Sequence, residues 1–131
     1  MKALIKKLDT IFSCFVRLRD ANSEGICRCI TCGSQHYWAS IDNGHFIKRQ
    51  YMSTRFNEFN CHAQCRRCNW LEQGANDMYK EVMIQKYGQE IHDQLIIQKY
   101  TTKKWSRFEL EYLIKEYGQR VKELMIEKGQ K

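Results

Sequence analysis

Two C-x-x-C pairs, Cys29-Ile30-Thr31-Cys32 and Cys65-Arg66-Arg67-Cys68, bracket a segment that holds His45, Asn60 and His62, with Asn69 directly after the second pair. Each C-x-x-C turn can bring two thiolates to about 2.3 Å from one ion, and two such turns complete the tetrahedral shell that zinc prefers. The expected ligands of a structural zinc are therefore Cys29, Cys32, Cys65 and Cys68. Cys27 competes with Cys29, but C-x-C forms a poorer knuckle. Gly33, directly after Cys32, allows the tight turn in which backbone N–H groups point at sulfur. Clasped in this way, the residues between the pairs form a candidate active site.

The elements that position this segment follow from periodicity. From Lys2 to about Asn22, apolar residues at Leu4, Ile5, Leu8, Ile11, Phe12, Phe15 and Val16 recur in three- and four-residue steps, which predicts an amphipathic helix. Asn22 to Gly25 reads as a turn. His36–Ile41 and Gly44–Ile47 are aromatic and β-branched stretches separated by Asp42-Asn43-Gly44, a turn signal that predicts a hairpin-like ribbon. Between Arg55 and Gln64, the alternation of Asn60, His62 and Gln64 with Cys61 and Ala63 predicts a strand whose polar face can look at the site. A helix after the second knuckle puts Asn69 one turn from Cys65. Asn76 or Asp77 can cap a segment ending near Gly88, and a second segment runs from Gln89 to Lys99. Ser106 and Glu109 have the spacing of a capping box, opening a last helix with Phe108, Tyr112, Leu113, Tyr117, Val121, Leu124 and Met125 inward. The whole reads as one mainly helical α+β domain over residues 1–131. An N-terminal helix (1–22) and C-terminal helices (76–128) flank a zinc-bracketed centre (26–75).

A formal charge of +7 over 131 residues favours polyanionic partners, because basic side chains on phosphates release condensed counterions; nucleic acid is the first expectation. Seven cysteines could suggest an oxidised secreted scaffold, but the count is odd, the N-terminus has no signal-peptide core, and four fall in metal-ligand pairs. A reducing cytosol fits better. No run approaches the roughly 18 apolar residues of a membrane span.

The order C-x-x-C, Asp42-Asn43-Gly44-His45, then Asn60, then Cys65-x-x-Cys68-Asn69 resembles the HNH nuclease family with its ββα-metal fold. More narrowly, DNGHFIKR together with RFNEFNCHAQCRRCN is similar to the NinG/Rap recombination proteins of lambdoid phages, over about Phe15 to Leu124. The resemblance implies a structure-specific DNA endonuclease that cuts branched recombination intermediates of Holliday-junction or D-loop type. Its setting would be the cytoplasm of a bacterium carrying a phage or prophage, alongside other recombination proteins. The family pattern puts the general base on His45, the middle asparagine on Asn60 and the helix metal ligand on Asn69. The chemistry gives each a reason. Imidazole titrates near neutrality and can take a proton from water, a hard cation such as Mg2+ or Mn2+ can neutralise charge on the phosphate, and Asn60 can hold His45 or the ribbon in place.

One departure matters. Many HNH proteins carry a metal ligand immediately before the catalytic histidine, and here that position is Gly44. Asp42 is the favoured replacement, since carboxylate oxygen suits magnesium or manganese better than imidazole does; His62 is the alternative ligand, or a phosphate contact. Lys48, Arg49, Arg55, Arg66 and Arg67 crowd the segment and are the candidate DNA contacts. Trp38, Tyr51, Trp70 and Trp105 can either stack on unpaired bases or fill a core.

Two rival readings stand beside the nuclease: a zinc-stabilised module that holds branched DNA without cutting it, and an assembly protein whose bracket staples helices. A four-way junction needs two opposed cuts, and one HNH segment per chain suggests a two-fold dimer. The expected dimer surface is the stripe of Leu4, Leu8, Ile11 and Phe15, with the final helix around Tyr117, Val121 and Leu124. If those two stripes pack on each other within one chain, that interface fails.

Overall fold

The structure, a computed structural model, describes residues 1–71 and 75–131; residues 72–74, at the end of the expected central segment, lie outside the described residues. It is a mixed α+β fold, mainly helical. Helix α1 (Lys2–Asp20) leads into two short strands, β1 (Ile26–Arg28) and β2 (Gln35–Tyr37), and these are followed by β3 (Asp42–His45) and β4 (Cys61–Gln64). A π-helical segment, Arg67–Leu71, comes next, and then α2 (Asn76–Tyr87), α3 (Gln89–Lys99) and α4 (Arg107–Glu127).

The apolar stripe of α1 is the floor of the main core. Leu8, Phe12, Phe15 and Val16 pack with Phe56, Cys61 and, from α4, Leu110 and Tyr117; Leu4, Ile11, Val121 and Leu124 close the edges. The rings of Phe12 and Tyr117 meet edge to face at 4.9 Å, a geometry that adds to the burial of both. The stripe expected to form a dimer interface is therefore intramolecular core, and that argument for a homodimer fails. Helix α4 opens on the expected capping box: Glu109 N donates to Ser106 Oγ at 3.1 Å, and Ser106 N donates to Glu109 Oε1 at 3.0 Å. Its inward face differs from expectation. Leu110 is fully buried, whereas Phe108 and Tyr112 are exposed. Residues two positions either side of a buried helical residue point about 200° away from it, so the face centred on Leu110 turns both aromatics outward.

The two small sheets overturn the expected ribbon. β1 pairs antiparallel with β2, around the first knuckle, with Cys27 opposite His36. Asp42-Asn43-Gly44 is not a turn but most of β3, which pairs antiparallel with β4, Gly44 opposite His62 and His45 opposite Cys61. Here a long-range ladder outweighs a local turn preference. Gly44 allows close packing, because a Cβ at that position would sit 2.1 Å from Gln64 Oε1 and 2.6 Å from Gln64 Cβ. No side chain fits there without moving Gln64, so the space directly before His45 is filled from β4.

β4 is shorter than expected, and its polar residues do not face solvent. All four residues are buried, because α1 and the first knuckle cover the edge that β3 does not. Asp20 accepts from Ala63 N at 2.8 Å, Arg19 Nη2 donates to Cys61 O at 2.7 Å, and Ile30 N donates to Ala63 O at 2.9 Å. A second core, Phe46, Ile47, Tyr79, Met83 and Leu95, fastens α2 and α3 to the loop after β3. The expected Asn76 or Asp77 cap is absent: Ala75 takes the N-cap position with φ 46° and no side-chain bond. Gly88, at φ 93°, separates α2 from α3 as expected, in a conformation costly for other residues. Among the described residues, no helix is long and apolar enough to cross a membrane.

Candidate active site and metal centre

Cys29, Cys32, Cys65 and Cys68 converge, with their Sγ atoms all within 4.8 Å of one another and Cys32 and Cys65 at 3.8 Å. Four sulfurs about 2.3 Å from one tetrahedral ion would sit about 3.8 Å apart, so the cluster is positioned to bind a metal ion and is consistent with structural zinc. The first knuckle forms as expected. Gly33 takes φ 76°, and Cys32 N points at Cys29 Sγ at 3.5 Å. Burial opposes ionisation of Cys29, but hydrogen bonds from the Cys32 backbone and the Thr31 hydroxyl outweigh it and bring the thiol down to about 6. Burial, reinforced by the neighbouring Cys65 and Cys29 sulfurs, pushes Cys68 up to about 12, so a bound dication is what would let all four act as thiolates. Cys27 lies outside the cluster: its Sγ contacts Arg17 O at 3.1 Å, and burial pushes it up to about 11.

The sulfur cluster anchors one wall of a cleft of about 690 Å³. Asn69 N donates to Cys65 O at 2.9 Å, which fixes Asn69 relative to the second knuckle, and its Nδ2 lies 3.3 Å from Asp42 Oδ2 on β3. Both residues line the cleft, as does His45. His45 Nε2 lies 3.0 Å from Arg55 O. A carbonyl only accepts, so Nε2 carries the hydrogen and Nδ1 keeps the lone pair. Burial brings this imidazole down to about 4, below the near-neutral titration expected of it, so it is neutral at pH 7 and a weaker base than a free imidazole. Asn60 is wholly buried and does not line the cleft. Its Oδ1 accepts from Ile47 N at 2.8 Å, and its Nδ2 donates to Ile47 O at 3.0 Å and Thr54 O at 3.1 Å. It closes the loop after His45, a positioning role.

Two expected site residues have other work. His62, expected as the alternative ligand or a phosphate contact, has both ring nitrogens engaged away from the cleft. Tyr79 donates its hydroxyl to Gly44 O at 2.7 Å and so receives the His62 Nδ1 hydrogen at 3.0 Å, while His62 Nε2 accepts from Tyr87 at 2.7 Å. This directional chain holds β3 one residue before His45, and burial brings His62 down to about 3. Arg55, expected on DNA, is largely buried in a two-pronged ion pair with Asp9.

Of the remaining basic candidates, Lys48 and Arg49 line the cleft. Arg66 is exposed at the edge, 3.8 Å from Asp42, and Arg67 is exposed off the cleft wall. Trp70 lies on the wall and is 71 % exposed, the one expected stacking residue in position to meet a ligand there. Trp105 packs on Phe56 and donates to Met52 O, Trp38 lies under Arg17, and Tyr51 joins the second core. The sequence reading missed the opposite wall, Asp9, Ser13 and Arg17 of α1. Their i, i+4, i+8 spacing marks one helical face, but nothing local distinguishes it from an ordinary solvated face.

No solved structure matches the chain. Among curated proteins it is 32 % identical to protein ninG of Escherichia phage lambda over 121 residues, covering 92 % of this chain and 56 % of that protein. It is 31 % identical to protein ninG of Escherichia phage 933W and 30 % identical to that of Salmonella phage P22, each over 92 % of this chain and 57 % of the relative. The chain thus spans a little over half the length of these relatives. The family model described as Bacteriophage Lambda NinG protein matches residues 1–127, and on that near-complete match the chain belongs to the NinG family.

Proposed function

We propose that this chain is an HNH-type, metal-dependent DNA endonuclease that cuts branched recombination intermediates. The observation that carries the reading is the state of His45. It is neutral, its Nε2 hydrogen is held by a backbone carbonyl, and it shares a cleft with Asp42 and Asn69. The lone pair left on Nδ1 suits a base that takes a proton from an attacking water. As that water adds to the phosphorus, the bond to the 3′ oxygen breaks, leaving 3′-hydroxyl and 5′-phosphate ends. The Asp42 carboxylate and, once the amide turns its Nδ2 away from Asp42, the Asn69 carboxamide oxygen would be a donor set suited to Mg2+ or Mn2+. Such an ion would offset charge on the phosphate and on the departing oxygen. Lys48, Arg49 and Arg66 surround these groups with positive charge suited to a DNA backbone.

One observation favours the rival, a DNA-holding module that does not cut: the Asp42 carboxylate is already met by Asn69 and neighboured by Arg66. Incubation with four-way junction, D-loop, flap and linear duplex in Mg2+ and in Mn2+ decides between them. The nuclease reading expects nicking of branched DNA that His45→Ala slows by at least about 100-fold. Binding to branched DNA with no cleavage in either metal supports the rival.

A further inference from the structure

We infer that Asp9, on the N-terminal helix, is a positioning residue for His45, acting through Arg55. The inference rests on the reading of His45 as the base and names what holds that base in register. Asp9 Oδ1 accepts from Arg55 Nε at 2.9 Å and Oδ2 accepts from Nη2 at 2.5 Å. Both side chains are mostly shielded, at 18 % and 16 % exposure. A two-pronged guanidinium–carboxylate pair fixes orientation as well as distance. The same guanidinium donates through Nη1 to Arg49 O at 3.0 Å, tying down the start of the loop that Arg55 ends. The Arg55 carbonyl then receives the His45 Nε2 hydrogen. One arginine thus links α1, the loop and the imidazole. Asn60 independently secures the same loop at Ile47 and Thr54.

The charge of Asp9 makes the role distinguishable from DNA binding. A carboxylate lining a cleft for a polyanion repels its ligand, so neutralising a residue with no other task would strengthen DNA binding and leave cleavage intact. A positioning residue behaves differently: the rate falls while affinity holds or rises. Second-partner losses of this kind commonly cost about 10- to 100-fold.

The test uses the full chain with its metal centre loaded, as wild type, Asp9→Asn, Asp9→Glu and Arg55→Lys. The first readout is the pair of His45 ring nitrogen resonances, which report the tautomer without requiring any cleavage. In the wild type Nε2 is expected to be protonated, and in Asp9→Asn and Arg55→Lys the signals are expected to move toward a tautomer mixture. Asp9→Glu is expected to restore part of the wild-type pattern. The second readout is single-turnover cleavage of branched DNA beside affinity for it. The expected result is a 10- to 100-fold slower cut by Asp9→Asn with unweakened binding. Unchanged His45 resonances in a folded Asp9→Asn overturn the inference, and if that variant does not fold, unchanged resonances in Arg55→Lys overturn it. Wild-type protein that binds but never cuts overturns the nuclease reading alone, since the resonances still decide whether Asp9 orients His45.

Discussion

The sulfur cluster and the cleft beside it are built by opposite means. Four cysteines supply the first from two short turns, and each turn presets two of the four positions. The cleft draws on α1, β3, the loop after it and the π-helical segment, with buried side chains holding the exposed ones. A centre whose ligands are set locally depends on the ion, whereas a site assembled from distant elements depends on the bonds that register them. Damage to the two should therefore differ in kind: loss of folding at the cluster, loss of alignment at the cleft.

The largest expected effect breaks the cluster. Structural zinc contributes about 10–16 kcal/mol in small metal domains, as much as the whole stability of an ordinary domain. Cys65→Ser or chelation is therefore expected to unfold the centre of the chain, read by circular dichroism together with metal analysis. A cooperative near-native melt without bound metal would refute the dependence.

At the cleft, His45→Ala is expected to slow cleavage by about 10²- to 10⁴-fold while junction affinity stays near wild type, with some loss of stability because the bond to Arg55 O goes with the ring. Cleavage at the wild-type rate would move the base elsewhere.

Acid is expected to act on the cleft's scaffold. His45 and His62 fall to about 4 and about 3 by burial, so below pH 6.5 the unfolded chain takes up protons that the folded chain refuses. Their contribution is complete above pH 6.5 and is lost as pH falls toward those values, at up to about 1.4 kcal/mol per pH unit for each histidine. Urea midpoints at pH 7, 6 and 5 measure the slope, and His62→Gln is expected to make it shallower. An unchanged slope would mean that His62 titrates normally.

Asn60→Ala removes three buried hydrogen bonds and is expected to cost about 3 kcal/mol, seen in denaturant unfolding. It should also slow cleavage, since the same bonds hold the loop that carries Arg55. The smallest effect is expected at Gly44→Ala, about 2 kcal/mol, because the new methyl group meets the Gln64 side chain. By the same geometry Gly44→Asp should not yield a working extra ligand. Faster cleavage in that variant would show that β4 yields more easily than its packing suggests.

What could be read from the sequence was whatever a few neighbouring residues determine. The convergence of the four cysteines in two turns, Asn69 one turn beyond Cys65, the Ser106–Glu109 box and the apolar stripe of α1 all follow from turn and helix geometry over short separations. Residue chemistry and family resemblance also singled out His45, Asp42 and Asn69, which the fold brings to one cleft. Where each polar group points was decided only by tertiary structure. Asp42-Asn43-Gly44 becomes a strand because β4 lies beside it, and His62 turns inward because two tyrosines from α2 meet its ring. Arg55 is taken from the candidate DNA surface by Asp9, 46 residues earlier in the chain. The stripes of α1 and α4 cover each other instead of a second copy. Spacing along the chain says which side chains have suitable chemistry. Which partner lies within about 3 Å of each is set by long-range packing, and that partner decides whether a histidine acts as a base or as a strut.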